Sequence, residues 1–255
     1  MDYVVFVIHH LIIDGVSWSI LIDDLTYIYN QICKNSDVNL VRPYPYKNWV
    51  NDVKRLADNI SSDEKQHWIK LNDLLNDSMI KGKSRLFQFN TQVLFNADNI
   101  LMLTEEEYWA LCIARAYKKT YGKEIIFNCE SHGRDESLAD ISQTIGWFTS
   151  QYPIVVDIGG EYDNVSLMND VYAVKKAFND INHLGLNYGS LIYVLGELEY
   201  KHCPVTFNFL STEFSFENEL FESINGDLSG FDFVDLDYDA YGISLNVPYL
   251  IVCYG

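Results

Sequence analysis

The stretch VIHHLIIDGVSW, Val7 to Trp18, decides how the rest of the chain is read. It closes a continuously apolar, β-branched-rich run, YVVFVI over 3–8, which predicts a strand buried on both faces. Adjacent residues of a strand point to opposite faces, so a strand running through His9 and His10 cannot bring both imidazoles to one site. One is then structural and the other functional. A metal site fails on the same ground, and no third ligand stands nearby. Asp14 follows His10 by four residues, and Gly15 lets the chain turn sharply into the next segment. In such a turn the carboxylate either fixes the loop or orients the imidazole. A histidine that opens on a loop can present a nitrogen of near-neutral pKa to a substrate. The plainer reading is a hydrogen-bonded histidine beside a turn.

Downstream, Trp18, Leu21, Leu25, Ile28, Tyr29 and Ile32 keep three- and four-residue spacing and predict an amphipathic helix from Val16 to Cys33. Two more helices are expected in YPYKNWVNDVKRLADNI, after Pro45, and in SSDEKQHWIKLNDLL, capped by Ser61 or Ser62. SMIKGKS, around residues 78–85, is polar and glycine-bearing and marks a lobe boundary. RLFQFNTQVLF alternates like a strand. The clearest helix is LTEEEYWALCIARAYKKTYGK, where Thr104 and Glu107 form a capping box and Gly122 terminates it. EIIFNCE is a strand that runs into the loop SHGRDES, and YPIVVDI is another. SLMNDVYAVKKAFNDI and YGSLIYVLGELEY read as helices, PVTFNFL and GISLNVPYLIVCY as strands. Helices and strands intermix throughout, so the class is α/β or α+β.

With 255 residues, 48% of them hydrophobic, the chain can bury a sizeable core. Its net charge of −18 argues against a nucleic-acid or anionic-membrane partner, and no basic cluster offsets it. The five cysteines form neither a CxxC pair nor a zinc spacing and read as free thiols, several buried, of a reducing compartment. No basic leader or small-residue cleavage site accompanies the apolar N-terminal stretch, and no apolar run reaches the length of a membrane span. A soluble, cytoplasmic location is expected.

HHLIIDG resembles the HHxxxDG signature of the condensation-domain superfamily of nonribosomal peptide synthetases, relatives of chloramphenicol acetyltransferase. The continuation Val16-Ser17-Trp18 resembles the epimerization branch. CESHGRD (Cys129 to Asp135) is similar to that family's E-G-H-G-R-E, keeping Glu130, His132, Gly133 and Arg134. QTIGWFTSQYP (Gln143 to Pro153) is similar to R-T-V-G-W-F-T-x-x-Y-P, with Thr144, Gly146, Trp147, Phe148, Thr149, Tyr152 and Pro153 in place. LGLNYGSL keeps Gly185, Tyr188 and Gly189 of G-x-G-Y-G, and FNFLS keeps Asn208 of F-N-Y-L-G. Departures are Ser19 for arginine, Ser131 for glycine, Asp135 for glutamate and Ser211 for glycine.

The resemblance implies a chloramphenicol acetyltransferase-like fold of two lobes, each a sheet flanked by helices, with a tunnel between them. Residues 1–80 would be the C-terminal part of the N-lobe and 81–255 the C-lobe. In the family the N-lobe begins well before the HHxxxDG strand, so the first part of that lobe, and the sheet neighbours of this strand, are expected from a segment this chain lacks. The implied reaction inverts, L to D, the α-carbon of an aminoacyl or peptidyl thioester carried on the 4'-phosphopantetheine arm of a carrier protein, with no cofactor bound by the domain itself. Carried over by motif, His10 and Glu130 are the acid/base pair. His9, Asp14, Gly15, His132 and Arg134 organise loops. Trp18, Trp147, Tyr152, Tyr188 and Asn208 are candidates for tunnel lining or for donors to the enolate oxygen. The alternatives within the family are amide-forming condensation, which needs His10 but not Glu130, and a fragment that only binds a carrier protein.

Overall fold

The computed structural model describes residues 6–75, 101–159, 164–203, 205–210 and 243–248. A 3-10 turn, His10–Ile12, leads into helix α1 (Gly15–Cys33), followed by α2 (Tyr46–Asp58) and α3 (Ser62–Leu74). Helix α4 (Glu105–Tyr121) precedes strands β1 (Ile125–Ser131) and β2 (Ser150–Val156). Then come α5 (Asn164–Asn179), a second 3-10 turn (His183–Gly185), α6 (Leu186–Tyr193), β3 (Val205–Leu210) and β4 (Ile243–Pro248). The strands form one mixed sheet in the order β2-β1-β3-β4, antiparallel between β1 and β2 and parallel elsewhere.

Local chemistry explains the helix ends. Thr104 and Glu107 close a reciprocal capping box on α4, and Gly122, at φ 70, donates its N–H to the Lys118 carbonyl at the other end. Ser61 caps α3 by accepting from the Glu64 N–H. Along β1 the side chains of Ile125, Phe127 and Cys129 are buried, while Ile126, Asn128 and Glu130 between them are half-buried. The buried face carries the core. Trp68 from α3, Ala110, Leu111 and Ala114 from α4, Val171 and Val174 from α5, and Leu191 from α6 pack against Phe127, Ile154 and Phe207. Each large apolar side chain hidden this way stabilises the fold by about 1.5–3 kcal/mol. Two ion pairs, Arg115–Asp170 at 2.9 Å and Lys175–Glu107 at 3.3 Å, join α4 to α5. A smaller cluster of Trp49, Ile141 and Phe148 fastens α2 to the loops beyond β1.

Some sequence expectations are corrected. Of the strand expected over 3–8, residues 3–5 lie outside the described residues, and 6–8 form no strand, with Val7 90% exposed. A strand needs paired edges, and no described strand lies beside this one. The helix expected over 188–200 stops at Tyr193. The chain reverses there, with Glu197 and Leu198 donating to the Leu191 carbonyl and Gly196 at φ 65. The strand expected at 85–95 and the lobe boundary at 78–85 lie outside the described residues.

Candidate active site

The two histidines are separated by a turn rather than by strand alternation. His9 is extended, and its Nδ1 accepts the Leu11 N–H at 3.1 Å, capping the 3-10 turn that begins at His10. His10 is exposed, with its ring edge-on to Trp147 at a centroid distance of 6.3 Å. Beyond the turn, Ile13 enters the interior, and Asp14 is buried.

Asp14 carries the local architecture. Its Oδ1 accepts the Ser17 N–H at 2.7 Å and so caps α1. Oδ2 accepts the Phe148 N–H at 3.1 Å, and the Asp14 N–H donates to the Gly146 carbonyl at 3.1 Å. Arg134 reaches the same carboxylate from the loop after β1, Nη2 lying 3.0 Å from Oδ1 and 3.3 Å from Oδ2. Its Nη1 donates to the carbonyls of Ile141 and Thr144, and its guanidinium carbon stands 4.0 Å above the Phe148 ring. Burial pushes the Arg134 pKa down and the Asp14 carboxylate pushes it back up; an arginine stays charged either way.

Ser17 completes the ring, a role that motif reasoning missed. Its hydroxyl accepts from Arg134 Nη2 at 2.8 Å and from the Gly146 N–H at 3.0 Å, and donates to the Gly146 carbonyl at 2.9 Å. The signal was a serine three residues after the capping aspartate, in the first turn of the helix.

Glycine requirements differ along this ring. At Gly133, φ is 63 and an added Cβ would lie 1.7 Å from the Phe148 carbonyl oxygen, so the two loops touch backbone to backbone. Gly15 is different from what its sequence position suggests. It is the first residue of α1, its φ is not positive, and a Cβ there would meet nothing within 4 Å. The turn is made by the Asp14 cap, and the space in front of Gly15 is open.

Glu130, the penultimate residue of β1, is half-buried, with its Oε1 accepting from Gln151 Nε2 at 2.7 Å across the antiparallel pair. Cys129 pairs with Phe207, so Asn208, one residue along β3, emerges on the face that carries Glu130. His132 lies just beyond, its Nδ1 accepting the Arg134 N–H at 3.1 Å. Its own desolvation, and then the Arg134 charge, hold its pKa below the ordinary histidine value, while Asp14 and Glu136 oppose this. No hydrogen bond joins His10 to Glu130 among the described residues. They sit on two segments that Asp14, Ser17 and Arg134 tie together.

Two of the lining candidates belong to the core instead. Tyr152 is buried against Trp68 and directly over Gly185, where a Cβ would fall 1.9 Å from its ring. Tyr188 is buried too and donates its hydroxyl to Asn72 Oδ1 at 2.9 Å, which uses the one proton it could offer an enolate. Burial raises both phenol pKa values, and pushes the Cys129 thiol well up, so none of the three is ionised near neutrality. Trp147 stays partly exposed beside His10, and Trp18 is half-buried on α1. Among the described residues no cluster of histidine, cysteine and carboxylate could hold a metal.

Residues 1–244 match the family model described as the condensation domain. The chain belongs to the condensation-domain family. Curated relatives include a linear gramicidin synthase from Brevibacillus parabrevis, 30% identical over 235 residues that cover 80% of this chain and 4% of that protein. A plipastatin synthase from Bacillus subtilis is 30% identical over 247 residues, 86% of this chain and 9% of that protein. Among solved structures, the epimerization domain from the third module of tyrocidine synthetase B superposes with a TM-score of 0.65 at 23% identity, over 79% of this chain and 50% of that one. The first condensation domain of the CDA synthetase gives 0.56 at 15% identity, over 80% and 46%. The chain therefore has the chloramphenicol acetyltransferase-like fold of condensation and epimerization domains. It spans about half the length of those solved domains and under a tenth of the two synthases. No helix among the described residues is long and apolar enough to cross a membrane.

Proposed function

We propose that the chain belongs to the epimerization branch of its family and inverts the α-carbon of an aminoacyl or peptidyl thioester in the cytoplasm. The substrate is presented on the 4'-phosphopantetheine arm of a carrier protein. One of His10 and Glu130 removes the α-proton, and the electron pair moves into the thioester carbonyl to give an enolate. The other returns a proton to the opposite face, so nothing is consumed. A positioned acid or base contributes roughly 10²–10⁴-fold, so the enolate oxygen also needs a donor. Asn208 is the remaining side-chain candidate, because Tyr188 is committed to Asn72.

The observation that carries this reading is Glu130. Condensation has no use for a second acid/base group there. Yet this carboxylate stands at the end of β1, oriented by Gln151, beside the loop that Arg134 ties to the His10 turn. No heavy atom lies within 4 Å of where a Gly15 Cβ would stand, which is compatible with a thioester approaching the same turn.

The test is α-deuterium uptake by an aminoacyl-phosphopantetheinyl carrier protein in deuterated buffer, followed by mass spectrometry. Uptake is expected, with His10→Ala and Glu130→Gln each lowering it at least about 100-fold. Uptake that survives both substitutions sinks the assignment. Amide formed from donor and acceptor thioesters, insensitive to Glu130→Gln, would place the chain with the condensation enzymes. Carrier binding with neither reaction would make it a binding fragment.

A further inference from the structure

The turn before α6 is held in a conformation its sequence does not favour. His183, Leu184 and Gly185 all have positive φ, at 49, 51 and 75. Glycine adopts this region freely and histidine tolerates it, but leucine does not. Such backbone persists where its surroundings over-determine it. Here two attachments do so. The Leu184 carbonyl accepts the hydroxyls of Ser131, at 3.0 Å, and of Ser150. His183 Nδ1 lies 2.6 Å from Asp135 Oδ2.

Ser131 and Asp135 are two of the positions at which this chain departs from the E-G-H-G-R-E motif that its loop resembles. A glycine at 131 has no hydroxyl to offer Leu184. Both departures therefore reach one turn, from the two ends of one loop. The loop is also closed on itself. The Ser131 hydroxyl accepts the Gly133 N–H at 3.2 Å, and Asp135 Oδ1 accepts the Ser137 N–H at 2.9 Å and its hydroxyl at 2.6 Å. Asp135 thus spends one oxygen inside the loop and the other on His183.

We infer that Ser131 and Asp135, with Leu184 and His183, form a latch that locks the Glu130 loop to the turn leading into α6. They are positioning residues for the proton transfer proposed above, on which this inference rests. Glu130 immediately precedes Ser131, so the latch sets where the strand end aims the carboxylate.

The experiment compares the full chain with Asp135→Asn, His183→Asn, their double variant, Asp135→Glu and Ser131→Gly. Asparagine at 183 keeps the tolerance for positive φ, so that variant reports the side-chain pair and not the backbone. Amide hydrogen exchange is read over residues 131–137, and α-deuterium uptake is read as kcat and KM separately. Each Asn variant and Ser131→Gly should speed loop amide exchange and lower kcat about tenfold with KM within about twofold, because a misaimed group loses rate more than binding. The double variant should fall no further than either single, as expected for two ends of one contact. Asp135→Glu should recover at least about half of the logarithmic loss, since the carboxylate returns on a longer arm. Unchanged loop exchange, or additive losses, would overturn the latch. A loosened loop with intact kcat would overturn its positioning role. Should the unsubstituted chain take up no α-deuterium at all, the proposed function fails, while amide exchange still decides the latch.

Discussion

Arg134 shows how much one side chain can hold. It bridges Asp14, Ser17 and two backbone carbonyls with almost no access to water, and its guanidinium carbon stands over the Phe148 ring. Removing one partner of a buried pair leaves a buried charge without its counter-ion. Arg134→Met should therefore destabilise the chain by about 3–5 kcal/mol, and the double variant with Asp14→Asn should recover part of that loss. Urea denaturation midpoints check both. Arg134→Lys should not rescue, because a single ammonium cannot reach the carboxylate, the serine and the carbonyls from one position.

Glu106, in the first turn of α4, makes the opposite kind of prediction. Its own desolvation, and after that the neighbouring Glu107 charge, push its carboxyl up to about 7. The folded chain then binds this proton more tightly than the unfolded chain, whose glutamate titrates near 4.5. Stability from this group is complete below the lower value and declines as pH rises through 7, by on the order of 3 kcal/mol. Glu106→Gln should flatten that slope in denaturation curves taken between pH 4 and 8. A slope that survives the substitution would assign it elsewhere.

At the scale of elements, what could be read in advance was whatever is local. The caps of α4 need only Thr104 and Glu107 at one end and Gly122 at the other, all local to one helix. Thr104→Ala removes one arm of the capping box and should cost about 1 kcal/mol, measured as a shift of the thermal midpoint. The 3-10 turn at His10 was not legible, because an apolar run reads as a strand until one knows whether anything pairs with it. The role of Gly15 was misread for a related reason. A glycine after an aspartate suggests a tight turn, whereas the capping hydrogen bond of Asp14 does the turning. Gly15→Ala should consequently leave stability unchanged or raise it by up to about 1 kcal/mol. It should suppress α-deuterium uptake if the thioester occupies the space before it. Gly133→Ala should behave in the reverse manner and unfold the loop, since the obstacle there is the Phe148 backbone.

At the scale of the molecule, the mixed α/β class and the order of the motifs were visible in the sequence, but the ring that joins them was not. Its contacts pair Asp14 with Arg134 and Ser17 with Gly146, across 120 and 129 residues, and no periodicity reports such distances. The burial of Tyr152 and Tyr188 was hidden for the same reason. Motif membership does not say whether a ring on a strand or a helix faces the core. The fold also leaves apolar side chains uncovered. Leu11, Ile12, Tyr29 and Ile32 are all more than half exposed, along the turn and α1. Exposed apolar surface of this kind favours association. Light scattering should show the purified chain self-associating, and Tyr29→Lys combined with Ile32→Lys should raise the monomer fraction without changing the helix content.

The span of the Asp14–Arg134–Ser17 ring also bears on the order of folding. Helices and the β1–β2 pair need only near neighbours, whereas the ring must wait until more than a hundred residues of chain have been gathered. Closing so long a segment is costly before any compensating contact exists, although each doubling of its length adds only about 0.6 kcal/mol. Contacts this far apart in sequence are made late. A partly folded chain would thus have its helices and the β1–β2 pair before the segments that carry His10 and Glu130 are tied together.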